Sequence, residues 1–124
     1  MRTSKQRLGD AAESLVAERL VASGWTILGR QVRVGRAELD IIAIDPGPPP
    51  GLVVVEVRFR GTRDFGLPEE TIDHRKLARL RVAAYGLRAA GRLPDAAPLP
   101  SLPIRLDIVV MEPGKPLRHY RHVG

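Results

Sequence analysis

Two β-branched runs, Glu38–Ile44 (ELDIIAI) and Leu52–Phe59 (LVVVEVRF), flank a segment, Asp45–Gly51 (DPGPPPG), that can be neither helix nor inner strand. The runs read as strands and the proline-rich segment as their connection, so the centre of the chain is a β-hairpin. The loop is centred on Pro48. A symmetric hairpin then sets Ile44 against Leu52, Ile42 against Val54, Asp40 against Glu56 and Glu38 against Arg58; one bulge in the loop would shift this register. Alternate residues share a face, so Glu38, Asp40, Ile42 and Ile44 line one side of the first strand, and Leu52, Val54, Glu56 and Arg58 line one side of the second.

In this register two carboxylates stand opposite each other where the apolar side chains stop, with Cβ atoms roughly 5 Å apart. Facing like charges are destabilising, and a sequence selected only for a stable hairpin would carry Val, Thr or an opposite charge there. A divalent cation removes the conflict, because hard oxygen ligands at this separation suit Mg²⁺ or Mn²⁺. Glu38 would add a further ligand and Arg58 a cation near a substrate phosphate. The competing reading is ordinary ion pairing on a wet sheet face, Glu38 with Arg58 and Asp40 with Arg33 or Arg36. The pattern alone leaves both open.

The rest of the chain supplies the layers around this hairpin. Residues 8–23 read as a helix, with Leu8, Ala11, Ala12, Leu15 and Val16 gathered on one side and Gly24 at the C-terminal cap. Trp25–Leu28 is a short strand. A second helix runs from about Asp73 to Ala90 and stops at Gly91, with Leu77, Leu80, Ala84 and Leu87 as its buried stripe. The stretch 94–103 (PDAAPLPSLP) is a stiff connection. Ile104–Met111 is another strand, and Arg118–His122 a short last one. The order α-β-β-β-α-β implies an α/β fold, a mixed sheet flanked by helices.

One domain accounts for all 124 residues, with a core of about 8–111 and a C-terminal tail of 112–124. The chain has no cysteine, which excludes disulfides and thiolate metal clusters. It also has no leader-like apolar stretch and no run of membrane-spanning length, so the expected compartment is the cytoplasm, with no membrane partner. The formal charge is +6 with 20 Lys+Arg, all of them arginine except Lys5, Lys76 and Lys115. A basic excess favours a polyanionic partner, most commonly nucleic acid. Genomic base composition explains the Arg/Lys ratio as well as function does, yet the net charge acts whatever its origin. Aromatic content of 4% disfavours a base-stacking single-strand binder.

Six segments in order carry a resemblance: Gly9–Glu13 (G-x-x-A-E), Ala37–Ile42 (AELDII), Val53–Arg60 (VVVEVRFR), Phe65–Gly66, Lys76–Leu80 (K-x-x-R-L) and Arg105–Val110 (RLDIVV). Together they resemble the YraN-like family of short bacterial proteins, over about residues 8 to 111. That family is similar to the PD-(D/E)xK restriction-endonuclease-like superfamily, whose core is α-β-β-β-α-β. The resemblance implies that Asp40 is the metal-binding Asp, that Glu56 is the acidic residue of (D/E)xK, and that Arg58 takes the Lys position. It also implies that Glu13 approaches the same metal and that Glu38 is the Glu of the family's G-E-I-D segment. Two departures stand out. Ala37 replaces a Gly, and Arg58 replaces a Lys; a guanidinium stays charged, so Arg58 cannot act as a general base.

The expected activity is metal-dependent hydrolysis of phosphodiester bonds in DNA, including structured or branched DNA, or in RNA. Asp40, Glu56 and Arg58 form the catalytic group. Asp40, Glu56, the Val57 carbonyl, Glu13 and Glu38 surround Mg²⁺ or Mn²⁺, and no small-molecule cofactor is expected. Arg60, Arg63, Arg75, Lys76 and Arg79 are the expected nucleic-acid contacts, which position a substrate without reading its sequence. The alternative is a nucleic-acid-binding or scaffold module that keeps the fold with weak or no turnover. A third reading, a protein-interaction domain, makes the charge incidental. No interface patch is legible in the sequence, so an oligomer is neither implied nor excluded.

Overall fold

The structure, a computed structural model, describes residues 2–60 and 73–123. Its elements are α1 (Ser4–Ala22), β1 (Thr26–Val34), β2 (Ala37–Asp45), β3 (Gly51–Phe59), α2 (His74–Ala90), β4 (Ile104–Met111) and β5 (Arg118–Tyr120). The expected α-β-β-β-α-β order is present, and the expected short last strand is β5, which ends at Tyr120.

α1 begins one turn before Leu8 because Thr3 caps it. The Thr3 hydroxyl accepts from the Gln6 amide at 3.1 Å, and the Gln6 side chain accepts from the Thr3 amide at 2.8 Å. This reciprocal box satisfies two amide donors that a helix start leaves unpaired. Leu8 is 53% exposed, and the stripe that packs on the sheet is Ala12, Val16, Ala17 and Leu20. α2 is capped by Asp73, whose carboxylate accepts from the Arg75 amide at 2.8 Å, and it ends at Gly91 with φ +71°. That left-handed conformation is the one glycine adopts without steric cost.

β1 runs past the expected Leu28 to Val34, because its pairing with β2 extends as far as Val34↔Ala37 despite the polar Arg30, Gln31 and Arg33. Backbone pairing outweighs side-chain pattern on such an edge strand. The two join through Gly35–Arg36, with Gly35 at φ +60°, the first central position of a tight hairpin turn.

The five strands form one sheet in the order β1-β2-β3-β4-β5, antiparallel except for β3 beside β4. α2 is the crossover that a parallel neighbour requires. The β2–β3 register is that of the symmetric hairpin, from Asp45 opposite Gly51 to Ile41 opposite Val55. α2 covers one face through Leu77, Leu80, Ala84 and Leu87, packed on Ile42, Leu52, Val54 and Leu106. α1 covers the other, where Val16, Ala17 and Leu20 meet Ile41, Ala43, Val53 and Val55, with Trp25 beside them. Among the described residues no helix is long and apolar enough to cross a membrane.

Strand alternation breaks at one residue. Ile42 and Leu52 face α2 while Ile41 and Ala43 face α1, yet Leu39 and Ala37 also join the α2 side. The face therefore changes at Asp40. Opposite it, Gln31 takes φ +48°, and the ladder steps from Arg30↔Ile41 to Val32↔Leu39 without pairing the two residues between.

Candidate functional site at the fork of the sheet

The irregularity at Asp40 coincides with the end of the β2–β3 ladder. The last cross-strand pair is Ile41↔Val55, while β2 continues against β1 and β3 continues against β4 as far as Phe59↔Met111. The two central strands separate here, and Asp40 sits in the fork. Its Oδ2 accepts a hydrogen bond from the Val57 amide at 2.8 Å, so a side chain takes the place of a ladder carbonyl. In an antiparallel strand one residue's N–H and C=O face the same neighbour. The Val57 carbonyl is therefore directed to the fork as well.

Glu56 is 5% exposed and lies on the α2 side of β3. Its carboxyl is close enough to that of Asp40 to act on it, although the expected Asp40–Glu56 opposition lies one step beyond the last ladder pair, Ile41↔Val55. Asp40 pays electrostatically: burial first, then the charge of Glu56, push its pKa up from 3.8 to about 8, against the lowering effect of the Val57 amide. A smaller upward push comes from Glu13.

Glu13 reaches this site from α1 and is 5% exposed. Arg30 Nε donates to its Oε1 at 3.1 Å and Gln31 Nε2 to its Oε2 at 3.3 Å. Both oxygens thus already have donors, and the left-handed backbone at Gln31 is what turns that amide toward α1. Neither Arg30 nor Gln31 was singled out from sequence, since β1 was read as ending before them.

Lys76 is the principal surprise. Its Nζ stands 2.8 Å from Glu56 Oε1, with the lysine side chain 38% exposed. Sequence reasoning had placed Lys76 among the surface contacts to nucleic acid, but the phase of α2 set by Asp73 turns it inward beside Leu77 and Leu80. Arg58 shares the same narrow cleft, lined also by Glu56 and Asp73. α2 therefore brings an ammonium to the Glu56 carboxylate, in the cleft that Arg58 shares.

Glu38 is not brought to the pair. The face change at Asp40 turns it away, and it meets Arg33 at 3.4 Å on the exposed β1–β2 surface instead of Arg58. The expected Glu38–Arg58 opposition fails because the ladder closes at Ile41↔Val55 before reaching it. Arg75 and Arg79 are exposed on α2, and Arg60 continues β3 with its amide on the Met111 carbonyl at 3.1 Å. Arg63 and the Phe65–Gly66 motif lie outside the described residues.

Among the described residues, no three His, Cys, Asp or Glu side chains already form a metal-ligand cluster. The donor set nevertheless fits a hard cation in chemistry: two carboxylates in mutual conflict, and a carbonyl directed at the same opening. Mg²⁺ commonly takes one or two protein carboxylates and completes its shell with water.

The sequence is 41% identical to a UPF0102 protein of Symbiobacterium thermophilum over 110 residues, covering 88% of this chain and 85% of that one. It is 38% identical to a UPF0102 protein of Roseiflexus castenholzii, covering 89% and 82%, and 33% identical to one of Clavibacter michiganensis, covering 86% and 83%. The model of the uncharacterised protein family UPF0102 matches residues 12–111, which includes Glu13, Asp40, Glu56 and Lys76. With alignments that run nearly end to end and a family match spanning both helices and the fork, the chain belongs to the UPF0102 family.

Proposed function

We propose that this protein is a metal-dependent nuclease that hydrolyses phosphodiester bonds in DNA, with Asp40 and Glu56 holding Mg²⁺ or Mn²⁺ at the fork. The observation that carries this reading is the buried Glu56 and the half-buried Asp40, two carboxyls in electrostatic conflict where β2 and β3 part. A bound divalent ion would polarise a phosphodiester oxygen and lower the pKa of a water molecule. The chain's own residues prepare that opening. The Val57 amide fixes one oxygen of Asp40, and a cation would replace the proton that Asp40 otherwise needs beside Glu56. The Val57 carbonyl supplies a neutral oxygen on the same side. Arg30 and Gln31 occupy Glu13, which makes it a source of negative potential ahead of a direct ligand.

Lys76 takes the part that Arg58 cannot. An ammonium carries three donors, of which Glu56 engages one, so the others can meet a phosphate oxygen or a water. Arg58, always charged, balances negative charge that develops on phosphorus oxygens. The net charge of +6 and the exposed Arg75 at the start of α2 support a polyanionic substrate.

The test is cleavage of labelled duplex, branched and single-stranded DNA and RNA with Mg²⁺, Mn²⁺ or EDTA. Asp40→Asn and Glu56→Gln are expected to lower metal-dependent cutting at least about 100-fold, the rate equivalent of losing an ion's several kcal/mol of transition-state stabilisation. Lys76→Ala is expected to cost about 10- to 100-fold at unchanged metal affinity, with Lys76→Arg recovering part of the charge effect. A second reading, a binding module on the same fold, rests on Arg58 in the lysine position of β3. Salt-sensitive binding with no cutting in any metal would establish it in place of the nuclease.

A further inference from the structure

α2 commits only one side to the sheet. On its outer side Val82 is 73% exposed and Tyr85 54%. Between this side and the β1–β2 turn lies an open groove of about 530 Å³, with the half-buried Val34 and Ala37 and the buried Ala83 at its floor and the exposed Val82, Arg36 and Arg79 along its edges. Past Gly86 it continues into a second depression of about 400 Å³ bordered by Arg92. The fork lies elsewhere: Glu56 and Lys76 line a different cleft, on the inner side of α2.

We propose that this groove docks an amphipathic helix of another protein, one whose apolar stripe is flanked by Asp or Glu. The floor and the rim ask for different chemistry, and such a helix satisfies both. Apolar anchors at i, i+3, i+4 and i+7 suit an apolar trough. Acidic flanks suit the arginines, since among the described residues no carboxylate pairs with Arg36, Arg79 or Arg92.

Other occupants fit worse. A nucleic-acid backbone would use the rim but leave the apolar floor against phosphate and water. A strand added to the β1 edge would meet a register shift between Ile27 and Gly29 and the left-handed Gln31, features that protect an edge from pairing. A second copy in a two-fold dimer would set the same patch against itself, bringing Arg36 and Arg79 of both copies together in a protein already at +6.

Fluorescence anisotropy with a labelled synthetic helix tests the proposal, using Leu at i, i+3, i+4 and i+7 and Glu on both flanks. Wild type is expected to bind it, and Val82→Asp to weaken binding at least about 10-fold. Arg36→Glu with Arg79→Glu should weaken it by at least about as much and instead accept the same helix with Lys flanks. All three positions are exposed, so circular dichroism and melting of the variants should match wild type. Equal binding of a peptide with Ser in place of every Leu would reduce the effect to charge and overturn the proposal. So would no binding at millimolar peptide. Concentration-dependent dimerisation abolished by Val82→Asp would assign the face to a second copy. Loss of DNA binding in the arginine variants, with Val82→Asp inert toward both ligands, would assign it to nucleic acid.

Discussion

Arg105→Ala is expected to destabilise the protein by about 3–5 kcal/mol, the usual cost of leaving a buried carboxylate without its cation. Arg105 binds two such groups at once. Its Nε stands 3.0 Å from one oxygen of Asp107, and its terminal nitrogen reaches Asp107 at 3.2 Å and Asp45 at 2.7 Å. Asp107 is fully buried and Asp45 is 6% exposed. The remaining partners of Asp107, His119 Nε2 at 2.8 Å and the His122 amide at 3.0 Å, tie the C-terminal segment to the same carboxylate. Loss of Arg105 therefore loosens β2, β4 and β5 together. Against a typical total of about 5–15 kcal/mol, such a loss brings a domain near its unfolding threshold.

The pH dependence of that loss separates a charge effect from a packing effect. Burial alone would raise the Asp107 pKa, but the hydrogen bonds from His119, Arg105 and the His122 amide outweigh it and hold it below 3.8. Asp45 is lowered in the same way, by Arg105 and the Gly47 amide against burial. A depressed carboxylate pKa contributes stability above the ordinary carboxylate range, lost as pH falls through the lower folded value. Wild type should therefore lose stability on acidification below about pH 4, whereas Arg105→Ala, whose carboxylates protonate more easily, should lose less. Urea unfolding at several pH values checks this: the gap between the two proteins should be widest near neutrality and narrow toward acid. A gap of constant size would mean that Arg105 acts through its packed stem and its place 5.6 Å from the Trp25 ring.

Much of this architecture was legible because the hairpin left few choices. A loop centred on Pro48 and two runs of matching length gave a register that holds from Asp45↔Gly51 to Ile41↔Val55. What strict alternation could not give was its own interruption at Asp40. A break of period depends on the left-handed Gln31 across the sheet, and a single strand carries no mark of it. That break moved Glu38 out of the site. Lys76 is a different case, since the signal was present. It lies four residues before Leu80 on the stripe that Leu77, Leu80, Ala84 and Leu87 define, so its inward direction follows from helix phase. Grouping it with Arg75 and Arg79 as a nucleic-acid contact hid it.

Asp40→Asn is expected to remove activity and to raise stability at alkaline pH, and the combination distinguishes a functional carboxylate from a structural one. The folded pKa of Asp40 is raised from 3.8 to about 8, by burial and then by Glu56. A raised carboxylate pKa has the opposite linkage from Asp107: the folded state holds a proton that the unfolded chain has released. Its contribution is intact below 3.8 and is lost as pH rises toward about 8. In EDTA, wild type should therefore become less stable from pH 5 to pH 8 relative to Asp40→Asn. The amide still accepts from the Val57 N–H but carries no charge. The gain at pH 8 should be on the order of 2 kcal/mol or more, since each unit of raised pKa is worth about 1.4 kcal/mol. Thermal melts across this range read it directly; curves that stay parallel would show that neither burial nor Glu56 raises the Asp40 pKa in the folded protein. Adding Mn²⁺ at pH 8 then tests what the repulsion is for. An ion that binds only the folded state stabilises it by about 2.7 kcal/mol at 100 times its dissociation constant. Wild type should show this rise and Asp40→Asn should not, because the variant has neither the charge nor the conflict. An equal rise in both proteins would place the ion away from the fork. A rise confined to wild type would mean that the ion binds at the fork through the Asp40 carboxylate, where it neutralises the charge that burial and Glu56 disfavour.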